Sequence, residues 1–216
     1  MKKGIIFDLD GVIVDTAKYH YLAWKNLAQK WNYDFTPKEN ELLKGVSRVK
    51  SLEILLEKAG IQLNEEEKQK ALIEKNDEYL KYIEKLDQNE MLPGILALIN
   101  WLEKEKIPFA LGSASKNAPA ILDKLGIKNK FSAIVDGNNV QKAKPDPEVF
   151  LQAAEKLGLE PAECIVIEDA QAGIEAAKKA GMTAVAIGKK LQNADYNLED
   201  TAQLTPEFIS EIVSTN

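Results

Sequence analysis

Near its start the chain reads Gly4-Ile5-Ile6-Phe7-Asp8-Leu9-Asp10-Gly11-Val12. The segment Gly4 to Phe7 is small or apolar, which predicts a short buried strand. Because side chains alternate in direction along a strand, Asp8 and Asp10 are expected to point the same way while Leu9 points into the core. Ligands of open α/β sheets bind beyond the carboxyl ends of the strands. The stretch therefore predicts both a sheet of this kind and a site at its edge.

Two neighbouring carboxylates at the end of a buried strand are costly unless a cation or a substrate uses them. They suit a hard divalent cation such as Mg²⁺, which prefers oxygen ligands. An aspartate can also attack phosphorus and carry the phosphoryl group covalently. The ordinary alternative is a turn with two solvated acids, and the rest of the chain must decide between these interpretations.

The composition narrows the class of protein. The 216 residues suffice for one large domain or for a domain with an insertion. A net charge of −6 argues against a nucleic-acid surface, which normally carries a basic excess. No apolar run is long enough to cross a bilayer, and no cleavable signal region is expected before Gly4. The single cysteine, Cys164, excludes an internal disulfide and fits a reducing compartment. We therefore expect a cytoplasmic monomer that binds neither nucleic acid nor membrane.

The order of patterns predicts an α/β protein with an insertion. Residues 16–87 show helical periodicity and no convincing strand, which predicts a helical cap domain. Residues 1–15 and 88–216 are expected to form a Rossmann-like, doubly wound parallel sheet, because strands there alternate with helices. After the first strand, further strands are predicted over residues 107–112, 131–135, 164–167 and 183–187. The tail from about Lys189 shows no motif beyond a possible final helix over residues 205–212.

Polar residues stand at the strand ends or just before helices of this predicted core. They are Asp8 and Asp10, then Ser113, Lys144, Glu168 and Asp169. Each alone has a common explanation, as a turn serine, a solvated lysine or acids at a helix N-terminus. Together they supply what phosphoryl transfer needs: a nucleophile, a cation site and donors for the phosphoryl oxygens.

These motifs resemble those of the haloacid dehalogenase superfamily of phosphotransferases. The resemblance lies in Asp8-Leu9-Asp10-Gly11-Val12 with Asp15-Thr16, in Lys144-Pro145 and in Glu168-Asp169, and it covers nearly the whole chain. It implies that Asp8 is the nucleophile and Asp10 the general acid and base. It also implies that Ser113 and Lys144 hold the phosphoryl oxygens. The implied cofactor is Mg²⁺, held by Asp8, the backbone carbonyl of Asp10, Glu168 and Asp169.

Within the superfamily, the cap segments are most similar to those of sugar phosphomutases. Thr16-Ala17-Lys18-Tyr19-His20 resembles the hinge, where the histidine couples cap closure to the acid–base aspartate; the alternative is an ordinary helix-end histidine. Lys44-Gly45-Val46-Ser47-Arg48 resembles the substrate-recognition loop, with Arg48 as a planar fork for phosphate. Lys75-Asn76 on the long cap helix is expected to face the ligand, although Lys75 alone could be one more surface lysine.

A second phosphate site separates a mutase from a hydrolase. Ser113-Ala114-Ser115-Lys116-Asn117 precedes a predicted helix, whose free N–H groups favour an anion. With Arg48, these residues would bind the phosphate that is not transferred. The resemblance then implies interconversion of β-D-glucose 1-phosphate and glucose 6-phosphate through the 1,6-bisphosphate. A Mg²⁺-dependent sugar-phosphate phosphatase and a catalytically silent binding module are the alternatives.

Overall fold

The computed structural model describes residues 4–214. Residues 1–3 lie outside the described part, and with them the prediction that no signal region precedes Gly4. Six parallel strands form one sheet in the order β3-β2-β1-β4-β5-β6. They are β1 Gly4–Phe7, β2 Phe109–Gly112, β3 Ala133–Val135, β4 Cys164–Glu168, β5 Thr183–Ile187 and β6 Tyr196–Leu198.

Alternation along the central strands builds two apolar layers. Five helices cover the sheet: α5 Ile95–Lys104, α6 Ala118–Lys124, α7 Glu148–Leu157, α8 Gln171–Lys179 and α9 Pro206–Ser214. Ile5 and Phe7 pack into one cluster, with α5, α6 and α9. Ile6 points the other way, into a cluster with α7 and α8. Helices on both faces of a parallel sheet confirm the predicted doubly wound core.

The cap is helical and has an apolar core of its own. Its helices are α1 Ala17–Gln29, α2 Pro37–Asn40, α3 Arg48–Ala59 and α4 Glu65–Ile83. A cluster that includes Trp24, Phe35 and Leu55 packs between them. Capping boxes at Thr36 and Asn64 begin α2 and α4, since each side chain accepts from the third helical N–H. The predicted domain boundaries, at residues 15 and 87, stay predictions.

Several segments differ from the sequence prediction. The strands predicted from residues 107 and 131 begin at Phe109 and Ala133. The tail after Lys189 contains the edge strand β6, which was not predicted because it has only three residues and none of them is buried. The sequence also predicts a short helix from Lys38 to Leu43, whereas α2 ends at Asn40 and a 3₁₀ turn, Glu41–Leu43, follows it. The fourth strand extends one residue further than predicted, so that Glu168 belongs to β4.

The sheet brings the polar strand ends together at β1. From β1 the chain passes through the cap to β2 and β3 on one side, and it later places β4 to β6 on the other. Phe7 is in register with Leu111 of β2 and with Ile167 of β4. The residues that follow these three positions therefore meet at the switch point of the sheet, where ligands bind in such folds. Among residues 4–214, no helix is both long and apolar enough to span a bilayer.

Candidate active site

A buried lysine joins two carboxylates at the ends of the central strands. Lys144 Nζ donates to Asp8 Oδ1 and to Glu168 Oε1, each at 2.7 Å. Glu168 Oε2 accepts from the backbone N–H of Ala170 at 2.8 Å. Burial alone would lower the pKa of Lys144, but the charges of Asp8 and Glu168 outweigh it and raise that pKa. Lys144 is therefore a fixed ammonium at the base of the site.

A third acid joins this cluster, and the two carboxylates beside it oppose its ionisation. Oxygens of Asp8, Glu168 and Asp169 all lie within 4.8 Å of one another. Burial, followed by the charges of Glu168 and Asp8, raises the pKa of Asp169 to about 8. Lys44 of the cap lies with its Nζ 3.8 Å from Asp169 Oδ2. An all-oxygen site in which three acids crowd one another fits a hard divalent cation.

Two glycines make room for this cluster. At Gly11, where φ is +77°, a Cβ atom would lie 2.2 Å from Asp169 Oδ2. At Gly173, in the first turn of α8, a Cβ atom would lie 1.8 Å from Glu168 Oε1. Neither position can carry a side chain without displacing a carboxylate of the cluster.

Asp10 lies apart from these three carboxylates and faces the cap. Its Oδ2 is 3.9 Å from His20 Nε2, and its Oδ1 is buried without a hydrogen-bond partner among the described residues. Burial, followed by the charge of Asp8, raises the pKa of Asp10 to about 8. The side chain nevertheless keeps 29% of its surface accessible. Asp10 is therefore mainly a neutral acid at pH 7 and still reaches the cavity.

His20 connects Asp10 to a buried lysine of the cap. Lys75 Nζ lies 2.7 Å from His20 Nδ1, and the His20 ring stacks on Tyr79 at 4.2 Å between centroids. Lys75 is only 2% exposed, and its ammonium position also lies over the ring of Trp24 at 4.9 Å. Burial lowers the pKa of Lys75 to about 7 and holds the pKa of His20 well below its ordinary range. Lys75 is thus not the surface lysine that its charged helix suggests.

A cavity of about 640 Å³ lies between the cap and the sheet edge. Its wall includes six basic side chains but only four carboxylates, although the whole chain has a net charge of −6. The basic residues are Lys44, Arg48, Lys75, Lys116, Lys142 and Lys144. This excess of positive charge in an acidic protein suits an anionic ligand.

Most of the predicted site residues line this cavity. From the core these are Asp8, Asp10, Ser113, Ala114, Ser115, Lys116, Lys144 and Asp169, and from the hinge and cap they are His20, Lys44, Gly45, Val46, Ser47, Arg48, Lys75 and Asn76. Thr16, Asn117 and Glu168 do not line it. Thr16 and Glu168 are fully buried, and Glu168 accepts from Lys144 of the cavity wall. Asn117 donates to Asn76 across the cleft at 2.9 Å.

The N–H groups before α6 are less free than the sequence suggests. Ser115 N–H donates to Ser113 Oγ at 3.1 Å, and Asn117 N–H donates to Ser115 Oγ at 3.3 Å. Two N–H groups of this loop are therefore engaged within it, while its residues Ser113 to Lys116 line the cavity.

Several cavity or near-cavity residues were not predicted as site residues, and four of them illustrate why. Trp24 and Tyr79 looked like ordinary members of apolar helix faces, yet they enclose Lys75. Asn40 and Ser51 are buried polar residues in the cavity wall. The only sequence signal for Ser51 is a polar residue beside the apolar positions of α3, which is too common to identify a site.

The chain is similar to known proteins over nearly its whole length. The haloacid dehalogenase-like hydrolase family matches residues 5–187. A β-phosphoglucomutase of Bacillus subtilis is 46% identical over 213 residues, covering 97% of this chain and 94% of that protein. A fructose-1-phosphate phosphatase of Escherichia coli is 33% identical and covers 84% of this chain and 94% of that protein.

A solved structure shares the fold closely. The crystal structure of a β-phosphoglucomutase from Clostridium difficile superposes with a TM-score of 0.94 at 44% identity, covering 98% of this chain and 96% of that one. Together with the strand-end carboxylates and the helical cap, these likenesses identify the family: the chain belongs to the haloacid dehalogenase-like hydrolases.

Proposed function

We propose that this enzyme is a phosphomutase that interconverts β-D-glucose 1-phosphate and glucose 6-phosphate through β-glucose 1,6-bisphosphate. The observation that carries the proposal is a single cavity with phosphate-binding groups from two domains. Lys144 and Ser113 stand beside Asp8 in the core, and Arg48 opens α3 in the cap. Among the described residues Arg48 forms no ion pair with a carboxylate. A bisphosphate needs such a second anchor, whereas hydrolysis of a monoester does not.

Asp8 is the proposed nucleophile. One carboxylate oxygen attacks phosphorus, an acyl phosphate forms, and the bond between phosphorus and the sugar oxygen breaks. Lys144 orients the carboxylate through its 2.7 Å hydrogen bond and balances part of the negative charge. The phosphoenzyme passes its phosphoryl group to the 6-hydroxyl of β-glucose 1-phosphate, which gives the 1,6-bisphosphate and free Asp8. Attack of Asp8 on the 1-phosphate of that bisphosphate then releases glucose 6-phosphate and restores the phosphoenzyme.

Asp10 is the proposed general acid and base. Because its pKa is raised to about 8, it carries a proton at neutral pH and can donate it to the departing sugar oxygen. In the return step the carboxylate accepts the proton of the attacking hydroxyl. As an ammonium, Lys75 can only donate to His20 Nδ1, which leaves the ring hydrogen on Nε2, facing Asp10.

The carboxylate cluster fits Mg²⁺ as the cofactor. Asp8, Glu168 and Asp169 would hold it, with the backbone carbonyl of Asp10. When bound, Mg²⁺ offsets the repulsion between the Asp8 carboxylate and the phosphate.

Cap closure is proposed to keep water from the phosphoenzyme. Asn117 of the core binds Asn76 of the cap, and Lys189 of the core binds Glu41 of the cap at 2.8 Å. One chain completes the cavity, which supports action as a monomer. We propose a cytoplasmic location from the single buried cysteine and the absence of disulfides.

A coupled assay tests the proposed function. Purified enzyme receives β-glucose 1-phosphate, Mg²⁺ and a trace of the bisphosphate, and glucose 6-phosphate and free phosphate are followed together. Glucose 6-phosphate should form in large excess over free phosphate. Asp8→Asn should abolish turnover while leaving the far-UV circular dichroism unchanged, because an amide cannot form the acyl phosphate.

The second candidate is a sugar-phosphate phosphatase of the same family. The likeness to the fructose-1-phosphate phosphatase favours it. In the same assay, this candidate predicts free phosphate at a rate equal to substrate loss, with no glucose 6-phosphate. That result would overturn the mutase proposal.

A further inference from the structure

Asn40 is a buried polar residue of the cap that the proposed chemistry does not use. It ends α2, and the 3₁₀ turn Glu41–Leu43 and the loop to Arg48 follow it. Only 7% of its surface is exposed, and it belongs to the wall of the central cavity. It is the one asparagine in the buried class within residues 4–214.

The carboxamide of Asn40 has no structural partner. Its backbone N–H donates to Thr36 O at 3.1 Å, but its side chain makes no hydrogen bond within the described chain. Asparagine often caps the turn that follows it, yet Asn40 does not cap the 3₁₀ turn. By contrast, the carboxamides of Asn64 and Asn117 bind Glu67 N–H and Asn76. Unlike Asp10 Oδ1, the polar atoms of the Asn40 carboxamide are not enclosed by the protein, so they are open to the cavity that Asn40 lines and can bind a ligand there.

The surroundings of Asn40 suggest which group of the ligand it binds. The same wall holds cations, such as Lys44 and Arg48, which bind a phosphate group more strongly than a neutral amide does. A phosphate group is therefore not the expected partner of Asn40. Trp24 and Leu43 supply apolar surface to the same cavity. A neutral donor and acceptor between cations and apolar groups matches a sugar ring, whose hydroxyls both donate and accept.

We propose that Asn40 binds a ring hydroxyl of the sugar phosphate and thereby contributes to sugar specificity. This inference rests on the proposed function, since it assumes a sugar phosphate in the cavity. Oδ1 accepts from a hydroxyl, and Nδ2 donates to the oxygen of the same or a neighbouring hydroxyl. Asn40 forms no bond to the transferring phosphoryl group and is a specificity residue only.

Deoxy sugars test this contact in a double-mutant design. Wild-type enzyme and Asn40→Ala are compared on the preferred hexose phosphate and on its 2-, 3- and 4-deoxy analogues. The readouts are kcat/KM and the dissociation constant from calorimetry. Wild type should lose about 3- to 10-fold on the analogue that lacks the contacted hydroxyl, which is the range for one neutral hydrogen bond. Asn40→Ala should show the same loss on the parent sugar. In this variant, removal of the contacted hydroxyl should cause no further loss.

Asn64→Ala is the matched control. Asn64 is another cap asparagine, but its carboxamide caps α4 and does not line the cavity. This variant should lower the stability of the protein and leave the pattern across the analogues unchanged. If Asn40→Ala fails to fold, Asn40→Leu, which has a similar volume, takes its place and should show the same coupling.

The outcomes separate this inference from the proposed function. The role of Asn40 would be overturned if Asn40→Ala had no effect. It would also be overturned if the loss from Asn40→Ala were the same on the parent sugar and on every deoxy analogue, because the residue and the hydroxyls would then act independently. Binding of glucose phosphates without isomerisation would overturn the mutase reaction only. Calorimetry with the same analogues would then still test whether Asn40 binds a ring hydroxyl.

Discussion

Lys75 shows how strongly a single residue depends on its packing. Its ammonium position lies between the rings of Trp24 and Tyr79 and against His20. Burial, followed by the charge of Arg48, lowers its pKa from an ordinary 10.5 to about 7. In the unfolded chain the same lysine stays protonated up to about pH 10.5. Folding therefore releases a proton from Lys75 above pH 7.

This proton release predicts a pH-dependent stability. Between pH 7 and 10.5 the unfolded state holds more protons on Lys75, so the free energy of unfolding should rise with pH. Relative to Lys75→Met, the free energy of unfolding of the wild type should rise by about 2 kcal/mol between pH 7 and pH 9. The reason is that Lys75 has a pKa of about 7 in the folded protein and of about 10.5 in the unfolded chain. Urea denaturation at both pH values measures the difference.

Lys70→Met is the control for this prediction. Lys70 is an exposed lysine on the same helix, where it pairs with Glu66. Its substitution should leave the pH dependence of wild type unchanged. Parallel stability curves for wild type and Lys75→Met would show that Lys75 is charged in the folded protein.

Arg48 separates binding of the distal phosphate from chemistry at Asp8. Arg48→Ala should weaken binding of glucose 1-phosphate and of the bisphosphate by about 10- to 150-fold, the value of one charge-assisted hydrogen bond. Phosphorylation of Asp8 by acetyl phosphate should change little, because that donor has no second phosphate. Titration calorimetry and phosphoenzyme formation supply the two measurements.

Lys50→Ala is a matched change on the same helix. Lys50 is exposed and pairs with Glu53, so its loss should affect neither measurement. An equal decrease with acetyl phosphate and with the sugar phosphates in Arg48→Ala would mean that Arg48 maintains the shape of the cap.

At the scale of elements, helix α8 is shaped by the carboxylate that it covers. Gly173 lies in its first turn, against Glu168 of β4. Alanine in a helix normally stabilises by about 0.5–1 kcal/mol relative to glycine. Here the added methyl group would meet the Glu168 carboxylate, which holds Lys144 and the Ala170 N–H. The packing of α8 on β4 therefore reverses the ordinary preference.

Gly173→Ala should lower both stability and Mg²⁺ affinity. Displacing Glu168 is expected to weaken the apparent Mg²⁺ affinity by about 10- to 100-fold, as other changes around metal ligands do. The Mg²⁺ dependence of kcat/KM and urea denaturation measure the two effects.

Gly181→Ala distinguishes a site effect from backbone strain. Gly181 follows the same helix with φ +77°, but a Cβ atom there would meet no atom within 4 Å. This variant should lose about 1–2 kcal/mol of stability and keep the wild-type Mg²⁺ dependence. Gly173→Ala with an unchanged Mg²⁺ dependence would contradict the proposed role of Glu168.

At the scale of the whole molecule, cap and core meet through few polar contacts. Glu41 of the cap accepts from Lys189 of the core at 2.8 Å and pairs with Lys44 at 3.1 Å. Lys44 in turn approaches Asp169 of the carboxylate cluster. Exposed ion pairs contribute at most about 1 kcal/mol each. These ion pairs are therefore weak enough to break if the cap opens in the proposed cycle.

Lys189→Met should increase hydrolysis relative to isomerisation. Loss of up to about 1 kcal/mol from the closed state would raise the open fraction by up to about fivefold. Water would then reach the phosphoenzyme more often. The ratio of free phosphate to glucose 6-phosphate, measured in the coupled assay, should rise accordingly.

Lys190→Met is the neighbouring control, because Lys190 is also exposed and forms no ion pair within the described chain. It should leave the product ratio unchanged. A wild-type ratio in Lys189→Met, at both low and high salt, would show that this ion pair does not contribute to closure.

Local patterns were sufficient to predict the core of the molecule. The apolar run Gly4–Phe7, the alternation of later strands with helices and the acids at the strand ends predicted a doubly wound sheet with a strand-end site, and the sheet confirms the fold. The reason is that strand direction, buried runs and strand ends are properties of neighbouring residues. The edge strand β6 was not predicted, because it has only three residues and none of them is buried.

Side-chain environments in the cap required the assembled molecule. Lys75 lies among lysines and glutamates along α4, and only the packing of α1 against α4 buries it beside His20. Asn40 ends the short helix α2, and only the packing of the cap against the core places it in the cavity wall. Burial and partners of these residues come from contacts between distant segments, so their charge state and their availability to a ligand follow from tertiary packing alone.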